Sequence, residues 1–205
     1  MKQATFGVDR IRALSDGVFA IALTLLVLDL KLPTQDAMSI DSGIGLSFDD
    51  ALLGQLPHAL SWILSFAILA RLWVVQHALL VGGGQRSRSF TAWNFVFLSA
   101  VSVVPFTASL IAERHDYALS VFVFSVALSV GGIALDRMWS VERDFFTKQA
   151  EGNAAVSSPR SSTILILLIA ITASATALVH PNAGPFVWIA FPLTAPLAHR
   201  LFGNK

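Results

Sequence analysis

Cysteine is absent from this 205-residue chain, tyrosine occurs once, and charged side chains make up only 13% of it. Without cysteine there is no disulfide framework, no thiolate metal site and no thiol nucleophile. Soluble domains carry about 25% charged residues, so at half that density the chain cannot cover a water-facing globule with charge. The charges nearly cancel, 14 Lys+Arg against 13 Asp+Glu, which removes the strongly basic footprint of a nucleic-acid binder. Hydrophobic residues supply 55% of the sequence, far too much for a disordered chain. The class left standing is an integral membrane protein.

A helix needs about 20 mostly apolar residues to cross the hydrocarbon core, because each residue advances about 1.5 Å. Six stretches qualify, at about 12–32, 57–81, 92–112, 117–138, 163–179 and 184–202. One small soluble domain could not hide six such segments. The expectation is therefore an all-α membrane fold, a single six-helix domain over residues 1–205. Pro33 closes the first stretch, Pro57 opens the second, and Gly82-Gly83-Gly84 ends it in a turn. Pro181 and Pro185 bracket the link between the last two, while Pro105, Pro192 and Pro196 fall inside spans. Behind the first stretch come Asp29, Lys31 and Pro33 rather than a small-x-small cleavage site, so it reads as a retained helix, not a signal peptide.

Lys and Arg set the orientation. With a cytoplasmic N-terminus and six alternating spans, the inner segments hold Lys2, Arg10, Arg12, Arg86, Arg88, Arg137, Arg143, Lys148, Arg160, Arg200 and Lys205. Only Lys31 and Arg114 fall outside, and Arg71 lies within a span. Both termini are expected in the cytoplasm of a cell with this protein in its (inner) membrane. The acids show the complementary bias. Asp29, Asp36, Asp41, Asp49, Asp50, Glu113 and Asp116 lie at or beyond the outer face. They form either a solvated loop or a vestibule that concentrates cations.

Ionisable groups inside a span are costly and mark function or pairing. Asp16 sits about one turn inside the first span, with Ser15, Arg10 and Arg12 the nearest donors by sequence. Trp73 and His77 are four apart on the second helix and share a face. Antiparallel helices bring His77 to the depth of Asp16, and Asn94 begins the third helix on the same side. The set is either glue between packed helices or a gating network. Arg71 has no acidic neighbour at its depth and can snorkel, face water or pair across a subunit boundary.

Leu14, Val18, Ile21, Leu25 and Leu28 repeat at spacings of four and three along the first helix, with Thr24 beside the line. Such a seam either packs on neighbouring helices or, repeated around an axis, forms a hydrophobic throat that gates by dewetting. No His-Glu-x-x-His, Gly-x-Ser-x-Gly or phosphate-cradling loop occurs, and the five histidines are scattered. An enzyme is not expected. A secondary transporter, proton-coupled through Asp16, His77 and Arg71, is the rival to a channel, although no internal repeat or pair of broken helices supports it.

At Arg10-x-x-x-Leu14-Ser15-Asp16, followed by Gly17-Val18-Phe19-Ala20-Ile21-Ala22-x-Thr24-Leu25-Leu26, the chain resembles the TMEM175 family of potassium channels in its bacterial single-repeat form. The family's mark is Arg-x-x-x-Phe-Ser-Asp, so Leu14 stands where a phenylalanine is usual. Trp73-x-x-x-His77, Asn94-Phe95 and Val104-Pro105-Phe106-Thr107 agree, whereas Ala78 occupies a position where relatives often carry a second histidine. The resemblance implies a homotetramer in a lipid bilayer whose first helices line a pore for monovalent cations. It implies potassium as permeant ion, no cofactor, no metal site, and no Thr-Val-Gly-Tyr-Gly filter. Val81-Gly82-Gly83-Gly84 is no substitute for that filter. It further implies Ile21 as the constriction, Leu25 and Leu28 as its continuation, and Thr24 as a contributor to selectivity. Arg10, Ser15, Asp16, Trp73, His77 and Asn94 would then form the supporting network.

Overall fold

Helices form where apolar runs meet suitable ends. The computed structural model describes residues 6–28, 30, 52–81, 85–114, 117–143 and 160–191. A two-residue strand, β1 (Phe6–Gly7), leads into α1 (Val8–Val27). Then come α2 (Leu56–Leu79), the short strand β2 (Gln85–Arg86), α3 (Arg88–Glu113), α4 (Ala118–Val141) and α5 (Arg160–Val179), with a terminal 3₁₀ helix at Pro181–Ile189. By length and composition α2, α3 and α4 can each cross a bilayer, and Thr163–Val179 within α5 is a shorter apolar helix. The molecule is a multi-pass helical membrane protein.

Several bounds differ from the hydropathy reading. Asp9 sits in the first turn of α1, where the positive end of the helix dipole favours it, so α1 starts ahead of its apolar stretch. It ends at Val27, with the Leu28 N–H turning back to the carbonyls of Leu25 and Leu26. Helix α2 opens with Pro57 in its first turn, as expected. Helix α3 begins four residues before the expected 92, because the Ser87 Oγ accepts the Phe90 N–H at 3.2 Å and caps it. Hydropathy marks where apolar side chains begin, whereas capping marks where the backbone ladder begins. The Pro33, Pro192, Pro196 and Gly82–Gly84 punctuation lies outside the described residues.

The expected helix at 184–202 starts as 3₁₀ turns through Pro185, with residues 192–202 outside the described set. Proline supplies no N–H to an i→i−4 ladder, and the tighter form tolerates it in short pieces. The all-α expectation also meets one exception. Strands β1 and β2 pair antiparallel, Phe6 opposite Arg86 and Gly7 opposite Gln85. Two residues are too few to show any alternation in a sequence.

Helix α3 is the central element: it packs on α4 most extensively, and also on α1 and α2. Gly131 of α4 lets that helix approach Phe97 and Ala100 of α3. Across the next interface the Thr163 hydroxyl donates to the Gly132 carbonyl at 2.8 Å, and Trp188 sets its ring edge-on to Phe124 with its N–H on the Ser125 hydroxyl at 3.2 Å. Small residues at these crossings bring backbones close, the usual way helices associate in lipid.

Candidate functional site

Helix α1 has two unlike faces. Val8, Ile11, Ser15, Phe19, Ala22 and Leu26 are buried against α2 and α3, with the Phe19 and Phe97 rings 5.8 Å apart. The other face is uncovered: Ile21 is 62% exposed, Leu25 44% and Leu28 69%. Leu14 and Thr24 are exposed too, and Val18 is half-buried at the margin. Among the described residues, then, the seam is left mostly uncovered, with only Val18 packed partly against the core. The Thr24 hydroxyl donates its proton to the Ala20 and Ile21 carbonyls, at 3.0 and 2.9 Å. With its only proton committed, its oxygen presents acceptor lone pairs.

The buried face is held by polar side chains. Ser15, Gln76 and Asn94, from α1, α2 and α3, are at most 1% exposed. The Gln76 amide donates to the Ser15 hydroxyl at 2.8 Å and to Asn94 Oδ1 at 2.9 Å. Asn94 Nδ2 reaches the same hydroxyl at 3.4 Å, and Ser15 passes its own proton to the Ile11 carbonyl at 2.8 Å. Three helices are thereby tied at one level by groups that lipid cannot satisfy.

One turn of the same surface carries the carboxylate. Trp73 Nε1 donates to Asp16 Oδ1 at 2.9 Å, and His77 lies against Trp73 with ring centroids 4.9 Å apart. The structure thus assembles Ser15, Asp16, Trp73, His77 and Asn94. The described donor to Asp16 is an indole four positions before His77, rather than Ser15, Arg10 or Arg12. Arg10 is exposed, and among the described residues no hydrogen bond ties it to this cluster. Arg12 turns the other way: its guanidinium donates to the Leu80 carbonyl at the end of α2 and sits 3.9 Å from Asp9. Arg71 also stands apart, its Nε buried with no hydrogen-bond partner among the described residues. Of the expected outer acids, Glu113 is exposed at the end of α3; Asp29, Asp36, Asp41, Asp49, Asp50 and Asp116 lie outside the described residues.

Two features were missed by sequence reasoning. Gln76 had a signal: Leu69, Leu72, Gln76 and Leu79 fall at helical spacing on the buried face of α2, so a polar member of that stripe needs partners. The second feature had none. Arg86, fully buried beside the N-terminal end of α1, places Nε 3.4 Å from Glu142 Oε2 and Nη2 3.3 Å from the Leu79 carbonyl. Glu142 Oε1 accepts the Ser87 N–H at 2.8 Å. Burial pushes the Arg86 guanidinium below its ordinary value, Glu142 pushes it up, and Arg12 pushes it down again. No cluster of metal-ligating side chains occurs among the described residues.

Known proteins resemble this chain in sequence and fold. Residues 10–105 match the family described as endosomal/lysosomal potassium channel TMEM175. A potassium channel of Chamaesiphon minutus is 36% identical over 133 residues, 63% of this chain and 63% of its own length. One of Streptomyces collinus is 33% identical over 134 residues, 63% of this chain and 62% of its own. The chain therefore aligns with somewhat under two thirds of the length of these curated relatives. The crystal structure of a potassium-selective TMEM175 homologue from Chamaesiphon minutus superposes with a TM-score of 0.74 at 26% identity, over 93% of this chain and 96% of that one. The matched segment begins at Arg10 and takes in both the seam of α1 and the polar groups of α2 and α3 behind it, and over residues 10–105 the chain is similar to the TMEM175 family.

Proposed function

We propose that this protein is a potassium-selective passive cation channel of the cell membrane, with both termini in the cytoplasm. The observation that carries the reading is the two-faced α1. One face is fastened to α2 and α3 by Ser15, Gln76 and Asn94, while the opposite seam at Ile21, Leu25 and Leu28 is left uncovered by its own subunit. An apolar stripe of that kind needs a partner or an axis. Four copies turned about one axis would place the four stripes around a narrow path, and relatives named as potassium channels lend the ion.

In this reading Ile21 forms the tightest ring, with Leu25 and Leu28 continuing the wall; such a throat blocks hydrated ions by dewetting and passes them when widened. Thr24, its hydroxyl proton held by the backbone, offers oxygen to a partly dehydrated cation and contributes to selectivity. The cluster around Ser15, Asp16, Trp73, His77 and Asn94 sets the position of the pore helix. Arg10, exposed in the first turn of α1, is assigned to the same support. No resident cofactor or metal takes part; the permeant ion is potassium. A proton relay through Asp16, His77 and Arg71 gains nothing from the geometry, since Arg71 is not in the cluster that holds the other two.

Recording from purified protein in a planar bilayer under a potassium–sodium gradient tests the proposal. Single-channel steps with a reversal potential near that of potassium are expected, and Ile21→Asn should raise the conductance by wetting the throat. Saturable, proton-coupled flux without steps would overturn it in favour of a transporter.

A further inference from the structure

The N-terminal end of α1 is joined to the far side of the subunit by a chain of bonds that the pore wall does not need. Strand β1, immediately before α1, pairs with β2 in the register Phe6–Arg86 and Gly7–Gln85. Arg86 in β2 is fully buried and forms an ion pair with Glu142, just past the end of α4. The second Glu142 oxygen accepts the Ser87 N–H that follows β2. A further strut comes from α1 itself, where Arg12 donates to the Leu80 carbonyl, next to the Leu79 carbonyl that takes Arg86. Helices α1 and α4 share little direct packing; each is packed on α3 instead. Beside the packing through α3, a polar route from α4 to α1 runs through Glu142, Arg86 and the strand pair.

Resting on the reading of α1 as the pore helix, we propose that this clasp is a positioning device for the gate: Arg86 and Glu142 fix the N-terminal pivot of α1, and displacement of the end of α4 shifts the channel between closed and open. Its placement fits that role. Gly7 and the clasp lie at the start of α1, whereas Ile21, Leu25 and Leu28 lie about four to six turns further along, so a small tilt at the pivot becomes a larger change in throat radius. The ion pair is buried, and removing one charge leaves the other without its counter-charge. A buried pair is weak support for stability but a good means of fixing one arrangement. Among the described residues no hydrogen bond or ion pair of the clasp reaches a seam side chain, so it should alter how often the pore opens and not what passes.

Because the chain has no cysteine, the double variant Gly7→Cys/Gln85→Cys gives a clean lock. Opposed residues in an antiparallel pair lie about 4.5–5.5 Å apart at Cα, within disulfide range, and a Cβ at Gly7 meets nothing within 4 Å. Oxidation in the reconstituted channel should change open probability by about threefold or more, reversed by reductant, with unitary conductance and potassium–sodium reversal potential unchanged. Glu142→Gln should shift open probability in the opposite direction, again at constant conductance. Open probability unmoved by both, or conductance changing in step, overturns the proposal. Disulfide formation is a readout independent of current. Adding Glu142→Gln to the cysteine pair should change its rate by about threefold or more, and an unchanged rate also overturns the coupling. A wild-type protein that carries no current sinks the conduction reading instead, and the cross-linking rate still decides whether Glu142 holds the strand pair.

Discussion

The indole N–H of Trp73 donates to the carboxylate of Asp16 at 2.9 Å, joining α2 to α1 across 57 residues of sequence. A half-buried carboxylate gains from a fixed donor that carries no charge of its own. Trp73→Phe keeps the ring and deletes the donor. It should destabilise the subunit by about 0.5–2 kcal/mol, read from unfolding in detergent micelles, and reduce the fraction of assembled protein that conducts. Normal unfolding and normal current would show that the bond is idle.

Gln76 bonds Ser15 and Asn94 at once, so its substitution should not add simply to theirs. Gln76→Leu and Asn94→Leu are each expected to destabilise. In a double-mutant cycle the pair should show a coupling of about 0.6 kcal/mol, up to about 1.7. The cycle needs only denaturant titrations of four proteins, and a coupling near zero would mean that the three helices are held by packing alone.

Phe19 and Ile21 are two residues apart on α1 yet face opposite ways. Phe19→Ala empties a packed site against Phe97 and should cost about 3–5 kcal/mol. Ile21→Ala should leave subunit stability within about 0.5 kcal/mol while changing conduction. Thermal melts alongside bilayer currents separate the two. Loss of fold stability at Ile21 equal to that at Phe19 would place the seam in a packed interior.

Gly184 lies where the terminal 3₁₀ helix meets α5, and a Cβ there would come 2.7 Å from the Ala177 Cβ and 3.1 Å from the Ala173 carbonyl oxygen. Backbone cannot yield as a long side chain can, so Gly184→Ala should cost about 1–3 kcal/mol. Gly131→Ala meets Ala100 and Phe97 only at 3.7–3.8 Å and should be tolerated. Melting temperatures of the two variants in one detergent provide the comparison; equal effects would contradict the packing described.

The sequence by itself determined the class and the main axis of the fold. Half the usual charge and long apolar runs leave few ways to satisfy a backbone except helices in lipid. Spacing alone also put Trp73 with His77, and Ile21 with Leu25, because a helix repeats every 3.6 residues whatever surrounds it. The depth match between Asp16 and the Trp73–His77 turn followed from two antiparallel helices joined in order. Tertiary structure decided which side of α1 is buried, since the seam and the Ile11–Ser15–Phe19 stripe are both apolar enough to pack. It also decided which donor reaches Asp16, because sequence neighbours on one helix compete with an indole brought from another. Above all it made the Arg86–Glu142 pair. Those two charges are 56 positions apart with no shared local pattern, and only the packing of α4 beside the β1–β2 strand pair brings them within 3.4 Å.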